Sequence, residues 1–465
     1  MSGLGFSHTP KEVKGVKTKY RTIVTKIPVP ESLPILERVY ETESHSMHGQ
    51  LPIIWDRAEG VQVYDSWGNK WLDFSSTIFV TNSGHGNKRI VEALNKVINK
   101  PLLHTYTFTS PERYDYLNYL IANTPKQFEK AFLLSAGTEA TEATLKLMRL
   151  NGIKQGKKRG GILCFEGNWH GRTLGAQMLG WNPSQKEWIG YLDPNIYHLP
   201  FPYPWRIDAI ENPRKYFRDA INELIIKNNI DPKNDLCGIM METFQGWGAV
   251  FYPKEFVQEV ALFAKENDLL LTFDEMQAGF GRTGELFGYM NYDVEPDLLA
   301  CGKGASSSLP LAVVLGRKEI MDLPGIGSMS STHSANPLVC AAGLANMQAL
   351  IEDGLILNSK TLGILFHDRL NLLKNKFSRY ISSVQGTGLL AAVIFTNSNN
   401  EPLSELCDLI SEKCLQTGLL VVHTGRESIK LAPPLVINEE QLLEGIETFA
   451  IAVEESIFEL YGAKY

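Results

Sequence analysis

The stretch LLLTFDEMQAGFGRTGELFGYMNYDVEPDLLACGK, residues 269–303, holds two apolar segments of strand length joined by a glycine-rich loop. The first breaks at an acid, Asp274, and the second ends on Lys303, which sits between Gly302 and Gly304. Short apolar runs bounded by Gly, Pro and Asp read as strands. Outward from this pair the pattern continues. AFLLS, GILCF and CGIMME lie before it, AVVLG lies after it, and segments such as RIVEALNKVI carry helical spacing. Strand alternating with helix predicts an α/β protein whose parallel, doubly wound sheet runs from about Asn87 to Asn336. In such sheets ligands collect at the carboxyl ends of the strands, where both Asp274 and Lys303 fall.

At 465 residues the chain is too long for one ordinary core. It divides into an N-terminal arm with part of a small domain (1–85), a large domain (86–345) and a C-terminal small α+β domain (346–465). The arm is polar and Pro-spaced (IPVPESLP), and its basic residues Lys11, Lys14, Lys17, Lys19, Arg21 and Lys26 read as a solvated charge run. VQVYDSWGNKWLDF reads as a hairpin turning at Ser66–Asn69. A long helix follows Pro337, and LLAAVIF and GLLVVH read as strands of the C-terminal lobe. The Pro- and aromatic-rich WNPSQKEWIGYLDPNIYHLPFPYPW reads as a surface excursion near the site.

The net charge of −7 gives no reason to expect nucleic acid or an anionic membrane as partner. No segment reaches the ~18 apolar residues of a membrane span, and the first residues lack an apolar signal core. The expected location is the cytoplasm. Cys164, Cys237, Cys301, Cys340, Cys407 and Cys414 show no CxxC spacing and read as reduced core thiols, with neither a disulfide frame nor a metal site.

Four motifs carry the chemistry. A lysine and an acid at two strand ends suit pyridoxal 5′-phosphate: the lysine forms a Schiff base with the cofactor aldehyde, and the carboxylate keeps the pyridine nitrogen protonated. Lys303 follows LLAC directly, so its stem should lie inside, where burial favours the neutral amine. In AFLLSAGTEATEATLKLMRL a strand ends at Ser135 and a helix opens at Gly137–Thr138, offering free N–H groups and a hydroxyl to a phosphate. An ordinary Ser or Thr helix cap has the same appearance. In GNWHGRT, Trp169 offers a flat face for a cofactor ring and His170 a hydrogen bond beside it. Gln277, three residues after Asp274, is placed to meet the ring hydroxyl, and SSTHSANP adds Thr332.

Together GTEA (137–140), WHGRT (169–173), DEMQAGFGRTG (274–284), GKG (302–304) and STHSANP (331–337) resemble the class III aminotransferases, pyridoxal-phosphate enzymes of fold type I. Relatives acting on ornithine, 4-aminobutyrate and similar ω-amines belong there. The resemblance runs from about residue 50 to Pro434. It implies a large mixed or parallel sheet domain, a small domain built from both chain ends, and ping-pong transfer of an amino group from an amine or amino acid to a 2-oxo acid. It further implies that Lys303 is the Schiff-base lysine and proton carrier, that Asp274 pairs with the pyridine nitrogen, and that Gln277 meets the ring hydroxyl. Gly137 and Thr138 would hold the phosphate, Trp169 would stack on the ring, and Thr332 would reach the phosphate of a neighbouring subunit in a homodimer with shared sites. Glu242, in METFQG, matches the family's E-P-x-x-G glutamate, with Thr243 in place of the proline.

The departures concern substrate. The family's carboxylate-binding arginine is here Lys430, a point charge where arginine presents a planar fork, with Arg426 four residues upstream as a substitute. Ile78 and Phe79 stand where ornithine-type members place a tyrosine, which predicts an apolar wall and a less charged amine. Ser306, Ser307 and Ser308 replace the usual glycines after the lysine. Glu242 would pair with Lys430 or Arg426 in one half-reaction and release it in the other. The same scaffold supports 2,2-dialkylglycine decarboxylation and an aminomutase, and a catalytically silent homologue is the reading from another class. The intact lysine, acid and phosphate turn argue against the silent one.

Overall fold

The computed structural model describes residues 6–49 and 51–462; the first five residues of the arm and position 50, where the resemblance begins, lie outside the described residues. At its centre is a seven-stranded sheet in the order Lys130–Leu134, Ala312–Gly316, Leu298–Cys301, Leu270–Asp274, Leu236–Glu242, Gly161–Phe165, Ile196–Leu199. Six strands run parallel. Ala312–Gly316 is antiparallel to both of its neighbours, so of the mixed or parallel sheet expected the mixed form is the one present. The reason is the connection: only residues 302–311 separate Cys301 from this strand, too few for the crossover that a parallel pair requires.

Every residue of Leu236–Glu242 and Ala312–Gly316 is buried, as in sheets covered on both faces. On one face the helix Gly137–Lys154 packs Ala140, Ala143, Leu147 and Met148 against Leu134, Ile162, Cys237 and Met240. The other face joins a larger core that includes Leu163, Phe165, Ile239, Phe273 and Leu299. All six cysteines are free and buried. Among the described residues no helix is long and apolar enough to cross a membrane.

The two chain ends share a second sheet. The hairpin Gln62–Tyr64 and Lys70–Asp73 forms as expected, and Leu419–Leu420 pairs in parallel with its second strand. Asp65 fixes the turn by accepting from the Trp67 and Asn69 amides. A third sheet, Ile381–Thr387, Leu390–Phe395, Ser428–Leu431 and Val422–His423, carries Lys430. The lysines of the basic arm are exposed, as a solvated charge run requires, while Lys11, Lys19 and Arg21 also pair with Glu412, Glu440 and Glu444 at 2.6, 2.7 and 2.8 Å.

Candidate active site

Because the strands around it are parallel, their carboxyl ends bring Ser135–Thr138, Gly167–Thr173, Glu242, Asp274–Gln277 and Lys303 to one edge of the sheet. Asp274 is the register partner of Glu242, so two carboxyl groups end adjacent strands.

Asp274 is buried and oriented by two donors. The Met276 amide donates to Oδ1 at 3.0 Å, and His170 Nδ1 lies 2.8 Å from Oδ2. The Asn168 amide nitrogen lies 2.7 Å from His170 Nε2. An amide nitrogen only donates, so Nε2 accepts and the imidazole proton sits on Nδ1, donated to Asp274. The His170 carbonyl in turn accepts from Thr141 Oγ1 at 2.7 Å, tying this loop to the helix that opens at Gly137.

Lys303 is held in the left-handed region, with φ of 43°, a conformation costly for a side-chain-bearing residue and concentrated at functional sites. A Cβ on Gly302 would meet Met276 Sδ at 2.6 Å, and one on Gly304 would meet Asn82 Nδ2 at 2.4 Å, so neither flank has room for a side chain. Asn346, fully buried, donates to the carbonyls of Gly304 and Ala305 at 2.8 and 3.0 Å and fixes the chain beyond. The Lys303 amine has no hydrogen bond or ion pair among the described residues. Burial lowers its pKa, against the opposing pull of Asp274 and Glu242.

Gly137 and Thr138 open an 18-residue helix, and their N–H groups have no intrahelical acceptor. Glu139 accepts instead from the Ser135 and Ala136 amides, both at 2.9 Å. A Cβ on Gly137 would strike Met276 Sδ at 2.7 Å, so Met276 pads both the helix start and the turn of Lys303. Thr138 Oγ1 lies 2.6 Å from Thr173 Oγ1. Trp169 has the Arg172 guanidinium over its ring at 4.6 Å, while its backbone N–H donates to Glu242 Oε2 at 3.1 Å.

The substrate-side residues separate into two groups. Lys430 is buried; it donates to the Gly246 carbonyl at 2.9 Å and to Gln277 Oε1 at 3.2 Å, and stands 4.6 Å above the Phe79 ring. Burial brings its amine down to about 7, the Lys303 charge adds to this, and Glu242 opposes it. Glu242 is pushed well above the carboxylate range, first by burial and then by Asp274. No Glu242–Lys430 ion pair is present among the described residues. Lys430 is held by backbone and amide oxygens instead.

Outside this cluster lie Arg426, Ile78 and Thr332. Arg426 is exposed, pairs with Glu427 at 3.0 Å and lies over Trp247 at 4.0 Å. Ile78 is half exposed and lines a separate cavity of about 440 Å³ with Leu51, Trp55 and Val421. Thr332 is exposed, and its carbonyl lies 2.9 Å from His104 Nε2. Ser306 and Ser307 hold loops, bonding the Leu309 carbonyl and the Ser83 amide. Asn168, Met276 and Asn346 are contributors that motif reading passed over. Asn168 alone carried a signal, its place two residues before His170.

The donor set suits pyridoxal phosphate: an unbonded interior amine, a fixed carboxylate and open helix N–H groups share one edge.

A family model described as aminotransferase class-III matches residues 44–453. The chain is 32% identical over 443 residues to the 4-aminobutyrate aminotransferase of Mycobacterium leprae, covering 92% of this chain and 96% of that protein. It is 29% identical over 469 residues to the alanine/serine racemase of Pyrococcus horikoshii, covering 98% of each. The crystal structure of a thermostable (S)-enantioselective omega-transaminase from Thermomicrobium roseum superposes with a TM-score of 0.84 at 25% identity, covering 92% of this chain and 99% of that one.

Proposed function

The chain belongs to the class-III aminotransferase family, pyridoxal-phosphate enzymes of fold type I, and from that premise we propose that it moves the amino group of a largely apolar primary amine or ω-amino acid to a 2-oxo acid. The observation that carries the substrate reading is the state of Lys430. Its ammonium is already committed to Gly246 O, Gln277 Oε1 and the Phe79 ring, so position 430 offers no planar fork to a second substrate carboxylate.

In this reading Gly137 and Thr138 would hold the phosphate, Asp274 with His170 behind it would meet the ring nitrogen, Gln277 the ring hydroxyl, Trp169 would stack, and Lys303 would be the point of covalent attachment. The bound cofactor supplies a sink for the electron pair released at the donor carbon. Lys303, its amine pushed toward the neutral form by burial and free of hydrogen bonds among the described residues, takes the proton from that carbon at Nζ and returns it to the neighbouring position. Phe79, Phe244, Ala278, Leu390 and Ala432 pack together beneath Lys430 and exclude water from that side. Lys430 contributes a single N–H to the acceptor's carboxylate.

The test is a single-turnover screen of alkyl amines, ω-amino acids and α-amino acids, following loss of the bound cofactor's visible absorbance. Alkyl amines should react fastest. A clear preference for dicarboxylic amino acids would refute the apolar-donor reading. Racemisation of an α-amino acid without an oxo acceptor, the activity for which the Pyrococcus relative is named, would replace amino transfer as the main reaction.

We also place the enzyme in the cytoplasm, on its six free buried thiols, and read it as a homodimer. Leu102, Leu103, Tyr106 and Phe108 are exposed on one segment, Phe108 to 78%, and that segment lies against Ser330–His333 through His104 and Tyr106. A second copy covering them would carry Thr332 toward its partner's phosphate turn. Phe108→Glu should then yield monomers by light scattering and weaken cofactor retention.

A further inference from the structure

Arg282 is among the largest side chains with no exposure to solvent, and no ion pair joins it among the described residues. An unpaired buried cation is costly, so what it holds is informative. Nη1 donates to the carbonyls of Leu389 and Pro433 at 3.0 and 2.6 Å, and Nη2 donates to Ser76 Oγ at 3.1 Å and Asn82 Oδ1 at 2.7 Å. One guanidinium thereby joins the loop after Asp274 to both chain ends.

Its contact with Ser76 falls at a strained place. Ser76, Thr77, Ile78 and Phe79 have φ of 47, 51, 61 and 68°, four successive residues in the left-handed region with no glycine among them. Each crowds its Cβ against the following carbonyl, so such a turn persists only where its surroundings impose it. Ser76 Oγ also donates to the Ala432 carbonyl at 2.6 Å, and the Ala432 amide donates to the Phe74 carbonyl at 2.6 Å. Arg282 thus grips the turn at Ser76 and the chain following Lys430 at Pro433. These two segments meet where the Phe79 ring lies under the Lys430 ammonium.

We propose that Arg282 is a positioning residue for substrate selection, its planar fork holding the left-handed turn against the Lys430–Pro433 segment so that Phe79 covers the Lys430 amine. The proposal rests on the reading of this wall as the substrate-selecting side of the site. Lysine at 282 keeps the charge but presents one nitrogen to four acceptors on separate segments, so it cannot hold both halves.

The test uses holoenzyme and two measurements. First, acylation of Lys430 by acetic anhydride is followed by mass spectrometry, with exposed Lys233 as internal reference. Arg282→Lys should raise the Lys430 rate about tenfold over wild type as the ring moves away. An unchanged rate relative to Lys233 overturns the proposal, whatever the substrate proves to be. Second, kcat/KM is compared for hexylamine and 6-aminohexanoate in wild type, Arg282→Lys, Phe79→Leu and the double variant. Arg282→Lys should shift the ratio about tenfold toward the carboxylate-bearing donor, and the double variant should shift it no further than Phe79→Leu alone. A uniform loss on both donors, or additive shifts, marks Arg282 as merely structural. Should Arg282→Lys not fold, Ser76→Ala, which removes only the hydroxyl between Arg282 and Ala432, takes its place in both measurements. If wild type consumes neither amine, the substrate reading fails, and the acylation rates still decide the positioning role.

Discussion

Replacing Lys430 with methionine tests the electrostatics of the site directly. The substitution keeps a flexible side chain of similar length and removes a buried amine whose pKa falls from an ordinary lysine's 10.5 to about 7. Between these two values the unfolded chain carries the proton and the folded chain does not. The unfolded state therefore binds more protons in that window, and stability rises with pH by ~1.4 kcal/mol per pH unit from this group. Across the whole window this amounts to ~5 kcal/mol, and between pH 7.5 and 9.5 to ~3 kcal/mol. Below pH 7 both states are protonated and the group adds no slope. Methionine also forfeits the hydrogen bonds to Gly246 O and Gln277 Oε1, at ~1 kcal/mol each, a loss that does not change with pH. Urea unfolding of both proteins from pH 6 to 9.5 reads the difference. Lys430→Met should be relatively most stable at the acid end and lose ~3 kcal/mol against wild type as pH climbs to 9.5. Parallel stability curves would show that Lys430 stays charged when folded and would refute the lowered pKa of its amine.

Lys303→Ala should cut amino transfer by at least ~10³-fold while leaving the urea midpoint unchanged or higher, because its amine makes no hydrogen bond that folding would lose. Borohydride treatment of that variant with cofactor should leave no label on the peptide containing residue 303. His170→Ala takes one of two donors from Asp274, a hydrogen bond to a charged group worth ~1.5–3 kcal/mol, so cofactor Kd measured by dialysis should weaken ~10–100-fold. Gly388→Ala would set a Cβ 2.5 Å from Thr283 C and 2.7 Å from Gly284 N at a φ of 59°. These are backbone atoms that cannot swing away, and a loss of ~2 kcal/mol or more should appear as a lowered urea midpoint.

The elements that were plain in the sequence are those whose evidence is local. Runs such as LLLTF and LLACG are long enough, and bounded sharply enough, to be strands whatever surrounds them. The direction of Ala312–Gly316 was readable only from the shortness of the 302–311 connection. The left-handed turn was hidden because SSTIF contains no glycine; its conformation is imposed by Arg282 and Ala432, distant in sequence. In GFGRTG the arginine has the look of an ordinary loop cation, and nothing nearby reveals acceptors at Leu389 and Pro433. Lys430 could be recognised as standing in an arginine's place. Its engagement with Gly246 and Gln277 depends on how the Ser428–Leu431 strand meets a loop from the central sheet.

That engagement has a consequence for the second half-reaction. Strand register puts Glu242 beside Asp274, and with burial this drives Glu242 toward its neutral acid form. Burial pushes both the Lys303 and Lys430 amines toward neutrality, and at Lys430 the Lys303 charge adds to it. Near pH 7 Lys430 is therefore only partly protonated, yet on the proposed reading the site must receive a 2-oxo acid whose carboxylate is ionised. The carboxylate favours the charged form of the amine it meets, so acceptor binding and proton uptake on Lys430 are linked. Above pH 7 each further unit leaves about a tenth as much ammonium available, and the acceptor KM should rise ~10-fold per unit. The KM of an alkyl amine donor, which carries no carboxylate, should lack that component. Lys430→Arg supplies a cation that stays charged at these pH values, and should flatten the acceptor profile between pH 7 and 9. If the acceptor KM is level across that range in wild type, the carboxylate is held by some other group and Lys430 serves only to pack the wall.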